Sequence, residues 1–243
     1  MTPPIQVLTH HKCASAWLAG YLDSCAALNG LRLWATPLGA AMPPEGSGIA
    51  LYGNAAYPSL ARRAAGGIHV IRNPLDLVVS AYHSHRNTHP TAGWPALAAQ
   101  QRLLREVDEA SGMLMTIAFL ERADFYEGAA GPLHGLRHWD FDDPGISTLR
   151  MEDMVRDAEG TLGALLRARH PGIILPPAER HSFQALTGRQ PGEVDATSHY
   201  RSGQPGQWRH ALPAPAVAYL RAHLEPLLRR FYPATLGDDP GGE

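Results

Sequence analysis

Lysine is almost absent from this chain of 243 residues: Lys12 is the only one, and the other twenty basic residues are arginine. Charged residues make up 18% of the sequence, below the ~25% typical of soluble domains, and the formal net charge is −2. A chain with so little net charge has no overall attraction for nucleic acid or anionic lipid, so neither is predicted as a partner. Any binding site for an anion must therefore be a local concentration of basic residues.

Cysteine and long apolar runs are also scarce. Cys13 and Cys25 are the only cysteines. They lie about three helical turns apart on one predicted helix and its entry loop, too far apart to form a disulfide without unwinding the helix. No apolar run approaches the ~20 residues that a membrane-spanning helix needs, and the first residues lack the pattern of a signal peptide. We therefore expect a cytoplasmic protein that does not associate with a membrane.

Predicted strands and helices alternate along the sequence. The predicted strands are residues 5–9, 31–34, 49–52, 67–71 and 146–150. The predicted helices are residues 15–28, 74–85, 96–122 with a break at Gly112, 152–169, 178–186 and 215–231, and residues 83–95 form a loop or flexible lid. This alternation predicts an α/β fold, a single domain over residues 1–236 with a central, mostly parallel sheet flanked by helices. Residues 237–243 are expected to form a flexible C-terminal tail.

Lys12 lies where the first predicted strand runs into the first predicted helix. Backbone N–H groups and the positive end of the helix converge on an anion at such a turn, and an ammonium group adds a charge that can follow a phosphate or sulfate oxygen. The turn does not match a Walker A loop, because the required glycine is missing and Cys13 replaces the hydroxyl that binds Mg²⁺. The turn therefore indicates a site for a phosphorylated ligand, but not a nucleoside triphosphatase.

Two later segments offer further groups to a phosphate. Arg72 follows a predicted strand and Ser80 lies two turns into the next helix, so that a guanidinium and a hydroxyl could reach one phosphate. A glycine-containing loop begins at Arg201 and ends at Trp208. Because ligands bind at the carboxyl ends of parallel strands, we expect Lys12 and Arg72 on the same rim of the sheet.

In this order, the segments resemble those of the sulfotransferases that use 3′-phosphoadenosine 5′-phosphosulfate (PAPS). Residues 12–17, Lys-Cys-Ala-Ser-Ala-Trp, resemble the P-loop-like strand–loop–helix that binds the 5′-phosphosulfate. Arg72 with Ser80 resembles the motif for the 3′-phosphate, Met151 lies in a stretch similar to the one near the adenine, and residues 201–208 resemble the loop that closes over the 3′-phosphate. The resemblance covers about residues 5–209 and implies PAPS as cofactor, with 3′-phosphoadenosine 5′-phosphate (PAP) as product and no metal.

The resemblance implies a role for each matched residue. Lys12 would be catalytic, by neutralising charge on the oxygen between sulfur and the departing phosphate. The cofactor-binding residues that it implies are Lys12, Cys13, Ala14, Ser15, Ala16, Trp17, Arg72, Ser80, Met151, Arg201, Ser202 and Gly203.

The catalytic base is less clear from the sequence. The family's histidine follows the third strand, where the nearest match is Tyr52, and a phenol with a pKa near ~10 is a poor base at pH 7. His10 or His11, beside Lys12, could replace it, and an acceptor that is already nucleophilic would need no base. His11 and Tyr52 are therefore both carried forward as candidates.

The predicted activity is transfer of a sulfuryl group from PAPS to a hydroxyl or amine of a small-molecule acceptor by in-line displacement. The alternatives are a non-catalytic module that binds a 3′-phosphoadenosine nucleotide and a kinase-like nucleotide enzyme. His83, His85 and His89 are expected to line the acceptor pocket rather than bind a metal, because no carboxylate or cysteine ligand is near them in the sequence. The sequence leaves the acceptor and the oligomeric state open.

Overall fold

A five-stranded parallel sheet forms the centre of the structure. The computed structural model describes residues 3–57 and 66–237, and its strands are β1 (Ile5–Thr9), β2 (Leu33–Thr36), β3 (Ile49–Tyr52), β4 (Gly67–Ile71) and β5 (Ile146–Arg150). Their order is β2-β3-β1-β4-β5, and every described pairing is parallel. The predicted α/β fold with a central parallel sheet is confirmed.

Helices follow β1, β4 and β5 and pack around the sheet. The two that position the site are α1 (Ser15–Leu28), after β1, and α2 (Pro74–His83), after β4. The other described helices are α3 (Pro95–Glu106), α4 (Glu109–Leu120), α5 (Pro132–Arg137), α6 (Met151–Arg156), α7 (Ala164–Arg169), α8 (Phe183–Thr187), α9 (Trp208–Ala211), α10 (Ala214–His223), α11 (Glu225–Phe231) and α12 (Ala234–Gly237), with π-helical turns at Ser84–Thr88 and Glu159–Gly163 and a 3₁₀ turn at Ala178–His181. Within the described ranges, none of these helices has both the length and the apolar character needed to cross a membrane.

Alternation along the strands decides which residues face which helices. Val7 and Leu51 pack in a buried cluster with residues of α1, whereas Leu8 and Tyr52 belong to a different buried cluster, with Trp139. Both faces of the sheet are therefore covered, as is usual for a parallel sheet.

The segment predicted as a loop or lid, residues 83–95, is partly helical. Ser84–Thr88 extends α2 by a π-helical turn. Side chains of α3 hold this turn, because Gln101 donates from Nε2 to the carbonyl of His85 at 2.9 Å and Arg105 donates from Nε to the carbonyl of Arg86 at 3.1 Å. The prediction of a loop from residue 83 was wrong because these contacts come from outside the segment.

The predicted helix over residues 96–122 is two helices, and it does not break at Gly112. The break falls at Val107 and Asp108, and Asp108 caps α4 by accepting from the backbone N–H of Ser111 at 2.9 Å. Gly112 lies inside α4, where a Cβ atom would be 2.5 Å from Cε2 of Tyr82. Its role is therefore close packing of α4 against α2.

Other predicted elements differ at their boundaries. Residues 152–169 and 215–231 are each divided into shorter helices. Residues 178–186 are divided at Ser182, whose hydroxyl accepts from the N–H of Ala185 at 3.1 Å and caps α8. The strand predicted at residues 31–34 lies at 33–36. Of the predicted tail, only Gly237 lies among the described residues, at the end of α12.

Candidate functional site

A cavity of about 510 Å³ is lined by residues that follow β1 and β4, the central pair of parallel strands. This is the edge of an open α/β sheet at which ligands bind. Further walls come from the start of α6 and from residues 181–207. The lining includes every residue predicted to bind the cofactor except Cys13, namely Lys12, Ala14, Ser15, Ala16, Trp17, Arg72, Ser80, Met151, Arg201, Ser202 and Gly203.

The loop between β1 and α1 is shaped by two residues with left-handed backbone conformations. Lys12 has φ 66° and Ala14 has φ 62°. Cys13 between them is fully buried, with its N–H donating to the carbonyl of His10 at 2.9 Å and its carbonyl accepting from Oγ1 of Thr9 at 2.7 Å. Because no side chain caps α1, the N–H groups of its first turn are available to an anion in the cavity.

Cys13 is therefore placed differently from the other predicted binding residues. Burial raises the pKa of its thiol to about 12, and the side chain packs in the hydrophobic core with Leu75. Cys13 supports the loop from the core and does not line the cavity. Cys13 and Cys25 are both free and buried.

Three cations line the cavity: Lys12, Arg72 and Arg201. Arg72 donates from Nη1 to the carbonyl of Lys12 at 3.1 Å, and its Nε is buried without a hydrogen-bond partner among the described residues. Burial and then the nearby Arg72 lower the pKa of Lys12 to about 8, and the same two causes, burial first, lower the pKa of Arg201. Desolvated cations that repel one another are stabilised when an anion lies between them.

The carboxylates that line the cavity within the described ranges, Asp76 and Glu152, accept hydrogen bonds from backbone groups. Asp76 accepts from the N–H groups of Gly206 at 2.6 Å and Trp208 at 3.1 Å. Glu152 accepts from the N–H of Asn73 at 2.9 Å. These carboxylates fasten the loop that carries Arg201, and the start of α6, to the N-terminal end of α2. The three cations outnumber them and keep a cavity of positive character.

The loop that carries Arg201 is held by another arginine, which the sequence analysis did not single out. Arg189 donates from Nη1 to the carbonyls of Glu193 at 2.8 Å and Arg201 at 2.9 Å, and from Nη2 to the carbonyl of Tyr200 at 2.5 Å. One guanidinium thus joins two stretches of the loop. The sequence gives no local sign of this, because an arginine in a glycine-rich loop is usually exposed.

Gly203 lets the same loop pack closely against α8. It has φ 62°, and a Cβ atom there would lie 2.3 Å from Cδ2 of Phe183. Any other residue would be strained at this position and would push the loop away. Beside it, Ser202 accepts a hydrogen bond from Gln207, which in turn accepts one from Arg201.

One wall of the cavity is flat and apolar. Trp17 is stacked on Tyr21 with ring centroids 4.9 Å apart, and its Nε1 donates to the carbonyl of His181 at 2.7 Å. Met151 and Phe183 also line the cavity. This wall suits a planar, uncharged group.

Several imidazoles lie in the wall of the cavity or directly behind it. His11, His83, His89 and His199 line the cavity, whereas His85 is fully buried behind His11. The expectation that His85 lines the pocket is therefore wrong, because the π-helical turn points it into the core. Among the described residues, no group of three histidine, cysteine or acidic side chains is placed to hold a metal ion.

The two other candidates for the base lie away from the cavity. Tyr52 is fully buried and its ring meets Trp34 edge-on at 5.6 Å, because strand alternation turns it away from α1. His10 is buried with its Nε2 2.8 Å from Nε2 of His69. The prediction of Tyr52 is corrected here, and His11 is the predicted base that lines the cavity.

Comparison with solved structures shows the same fold. The chain resembles mouse sulfotransferase SULT7A1, solved in complex with PAP, at 14% identity and a TM-score of 0.61, over 97% of this chain and 88% of that chain. It also resembles retinol dehydratase, solved with androsterone and the inactive cofactor PAP, at 12% identity and a TM-score of 0.54, over 94% of this chain and 82% of that chain.

Sequence comparison supplies the family. No curated protein sequence matches the chain. A family model described as the sulfotransferase domain matches residues 55–232, which is most of the chain. The site described above and this match lead to one conclusion: the chain belongs to the sulfotransferase domain family.

Proposed function

We propose that this sulfotransferase takes its sulfuryl group from PAPS and transfers it to a hydroxyl or amine of a small-molecule acceptor. The observation that carries the proposal is the convergence of Lys12, Arg72 and Arg201 with the open first turn of α1 in one cavity. PAPS has two separate anionic groups, so it needs two groups of donors. A cavity of about 510 Å³ is also within the usual range for small ligands.

We assign the hydrogen-bond donors of the cavity to two sets, one for each anionic group of PAPS. Lys12, Ser15 and the first-turn N–H groups of α1 would hold the 5′-phosphosulfate. Arg72, whose Nε has no protein partner among the described residues, would hold the 3′-phosphate with Ser80 and Arg201. The flat wall at Trp17 would hold the adenine.

The chemistry of transfer places demands on two side chains. Bound PAPS would supply the sulfuryl group and a phosphate as leaving group. The ammonium of Lys12 would stabilise the charge that develops on the departing oxygen, a contribution that is large in a site from which water is excluded. His11, next to Lys12 in the chain, would accept the proton of the acceptor hydroxyl.

Calorimetric titration with PAP, AMP, ADP and ATP without metal tests the cofactor. We expect micromolar binding of PAP, weakened about tenfold to a hundredfold by removal of the 3′-phosphate or by Arg72→Ala, because a hydrogen bond to a charged group contributes ~1.5–3 kcal/mol. Arg102→Ala, at an exposed position of α3, is the matched control and should leave the PAP affinity unchanged. Preference for ATP, or PAP binding that ignores Arg72→Ala, would contradict the proposal.

A turnover assay separates an enzyme from a binding module. Release of PAP from PAPS in the presence of pooled phenols, alcohols and amines is expected for the wild-type protein. Tight PAP binding without turnover of any acceptor class would instead favour the non-catalytic alternative.

A further inference from the structure

A chain of three side chains runs from the cavity into the core. His11 lines the cavity, and its Nε2 is 2.8 Å from Nε2 of His85. His85 is fully buried, and its Nδ1 is 2.9 Å from Oε1 of Gln100 on α3. Gln100 is itself only 5% exposed. We call these residues the His11–His85–Gln100 relay.

The order of donors and acceptors along the relay fixes where each proton lies. The amide oxygen of Gln100 can only accept, so Nδ1 of His85 carries a proton and donates it. A neutral imidazole has a single N–H, so Nε2 of His85 is an acceptor, and the proton between the rings belongs to Nε2 of His11. Nδ1 of His11 is then left with a lone pair, and no described residue makes a hydrogen bond with it.

The surroundings of the relay keep both rings neutral. Burial, and then the nearby His85, lower the pKa of His11 well below its usual value, and burial lowers the pKa of His85 to about 3. The other titratable groups that face His11 are Lys12, His89 and His199, all of which oppose a positive charge on it. No described acidic residue acts on His11 in the other direction.

We propose that His85 and Gln100 are positioning residues that hold His11 in the tautomer whose Nδ1 is the base of sulfuryl transfer. The proposal rests on the proposed function. The acceptor oxygen forms a bond to sulfur while the bond from sulfur to the bridging phosphate oxygen breaks, and that electron pair leaves with PAP. The hydroxyl proton passes to Nδ1 of His11, while Nε2 of His11 keeps its proton and donates it in a hydrogen bond to His85.

His89 is the rival base. Its Nδ1 is 2.9 Å from the carbonyl of Pro90, so its Nε2 also carries a lone pair, and its ring is 5.1 Å from that of His11. His11 differs from His89 in two ways. It adjoins Lys12, the residue proposed to act on the leaving group, and its Nε2 is held by the relay through His85 and Gln100. Loss of the acidic limb of the pH profile in His89→Gln, with that limb retained in His11→Gln, would overturn the proposal.

The pH dependence of kcat/KM tests the relay, because it reports the free enzyme. We expect the wild-type acidic limb below pH ~6.5, the ordinary pKa of histidine. In Gln100→Glu, a carboxylate beside His85 should move the limb upward by about 1 to 3 pH units. Once His85 is protonated, its Nε2 donates to Nε2 of His11. The single proton of His11 then lies on Nδ1, which loses the lone pair that a base needs.

Arg102→Ala is the matched control. It removes a side chain at an exposed position of the same helix, and the acidic limb of this variant should coincide with that of the wild type. An unshifted limb in a folded Gln100→Glu protein that still binds PAP would overturn the proposal.

Nitrogen-15 spectra of the histidine rings supply a readout that needs neither PAPS nor turnover. We expect His11, assigned by the signal lost in His11→Gln, as the Nε2–H tautomer in the wild type, and a mixture of tautomers in His85→Phe and Gln100→Leu. An Nδ1–H tautomer of His11 in the wild type would refute the relay. Failure to bind PAP, with the Nε2–H tautomer present, would instead refute only the proposed cofactor.

Discussion

The affinity for PAP should fall between pH 7 and pH 9, because Lys12 loses its proton in that range. Burial, and then Arg72, bring the pKa of Lys12 to about 8 in the free protein. Lys12 is then about nine-tenths protonated at pH 7, half protonated at pH 8 and one-tenth protonated at pH 9. Since the anion favours the ammonium form, the Kd should rise about tenfold from pH 7 to pH 9, and binding at pH 8 should take up about half a proton.

Neighbouring groups should not obscure this titration. The pKa values of His11 and His85 are lowered, chiefly by burial, and that of Cys13 is raised to about 12 by burial. None of these three groups changes charge between pH 7 and pH 9. Arginine stays protonated throughout the range.

Calorimetry in two buffers of different ionisation enthalpy measures both the affinity and the proton uptake. Lys12→Arg is the control, because a guanidinium keeps its proton, and its PAP affinity should not change between pH 7 and pH 9. A wild-type affinity that is flat over this range, with no proton uptake at pH 8, would refute the reasoning that burial and Arg72 act on Lys12.

Two further predictions concern the loop over the cavity and the packing of α4. Arg189→Ala removes the guanidinium that holds three carbonyls of the loop carrying Arg201. Calorimetry should therefore show that the PAP affinity falls about tenfold, whereas the AMP affinity stays nearly unchanged. Equal losses for both ligands would count against a role of this loop at the 3′-phosphate. Gly112→Ala places a Cβ atom 2.5 Å from Tyr82 and should lower the free energy of unfolding in urea by about 1–3 kcal/mol. Gly20 is also helical, but no atom lies within 4 Å of a Cβ added there, so the control Gly20→Ala should raise the free energy of unfolding by about 0.5–1 kcal/mol. A similar loss of stability in both variants would show that the contact with Tyr82 is not the cause.

The strands and the first loop could be predicted from the sequence. Ile5–Thr9, Ile49–Tyr52, Gly67–Ile71 and Ile146–Arg150 have the predicted bounds, because the first three are short runs of mainly apolar residues in a sheet buried on both faces. The helix start at Ser15 was also predicted correctly. Since the carboxyl ends of parallel strands share one edge, the same pattern placed Lys12 and Arg72 in one site.

The breaks within helices were harder to predict. The apolar pattern over residues 96–122 continues through Val107 and Asp108, where the structure ends one helix and caps the next. Periodicity reports which face is buried, but it does not show whether one helix or two present that face. Gly112 was taken for a break because the sequence does not show that Tyr82 lies against it.

The sequence alone determined the order of the strands along the chain and the residue types of the loops that are predicted to bind an anion, because apolar periodicity and residues close together in the chain encode both. Only the tertiary structure decided that Tyr52 turns into the core and that His11 meets His85 and Gln100. His11 and His85 are 74 positions apart, and the packing of α3 against the π-helical turn brings Gln100 to His85. Contacts of this kind depend on how whole helices and strands pack against one another, so no local pattern in the sequence encodes them.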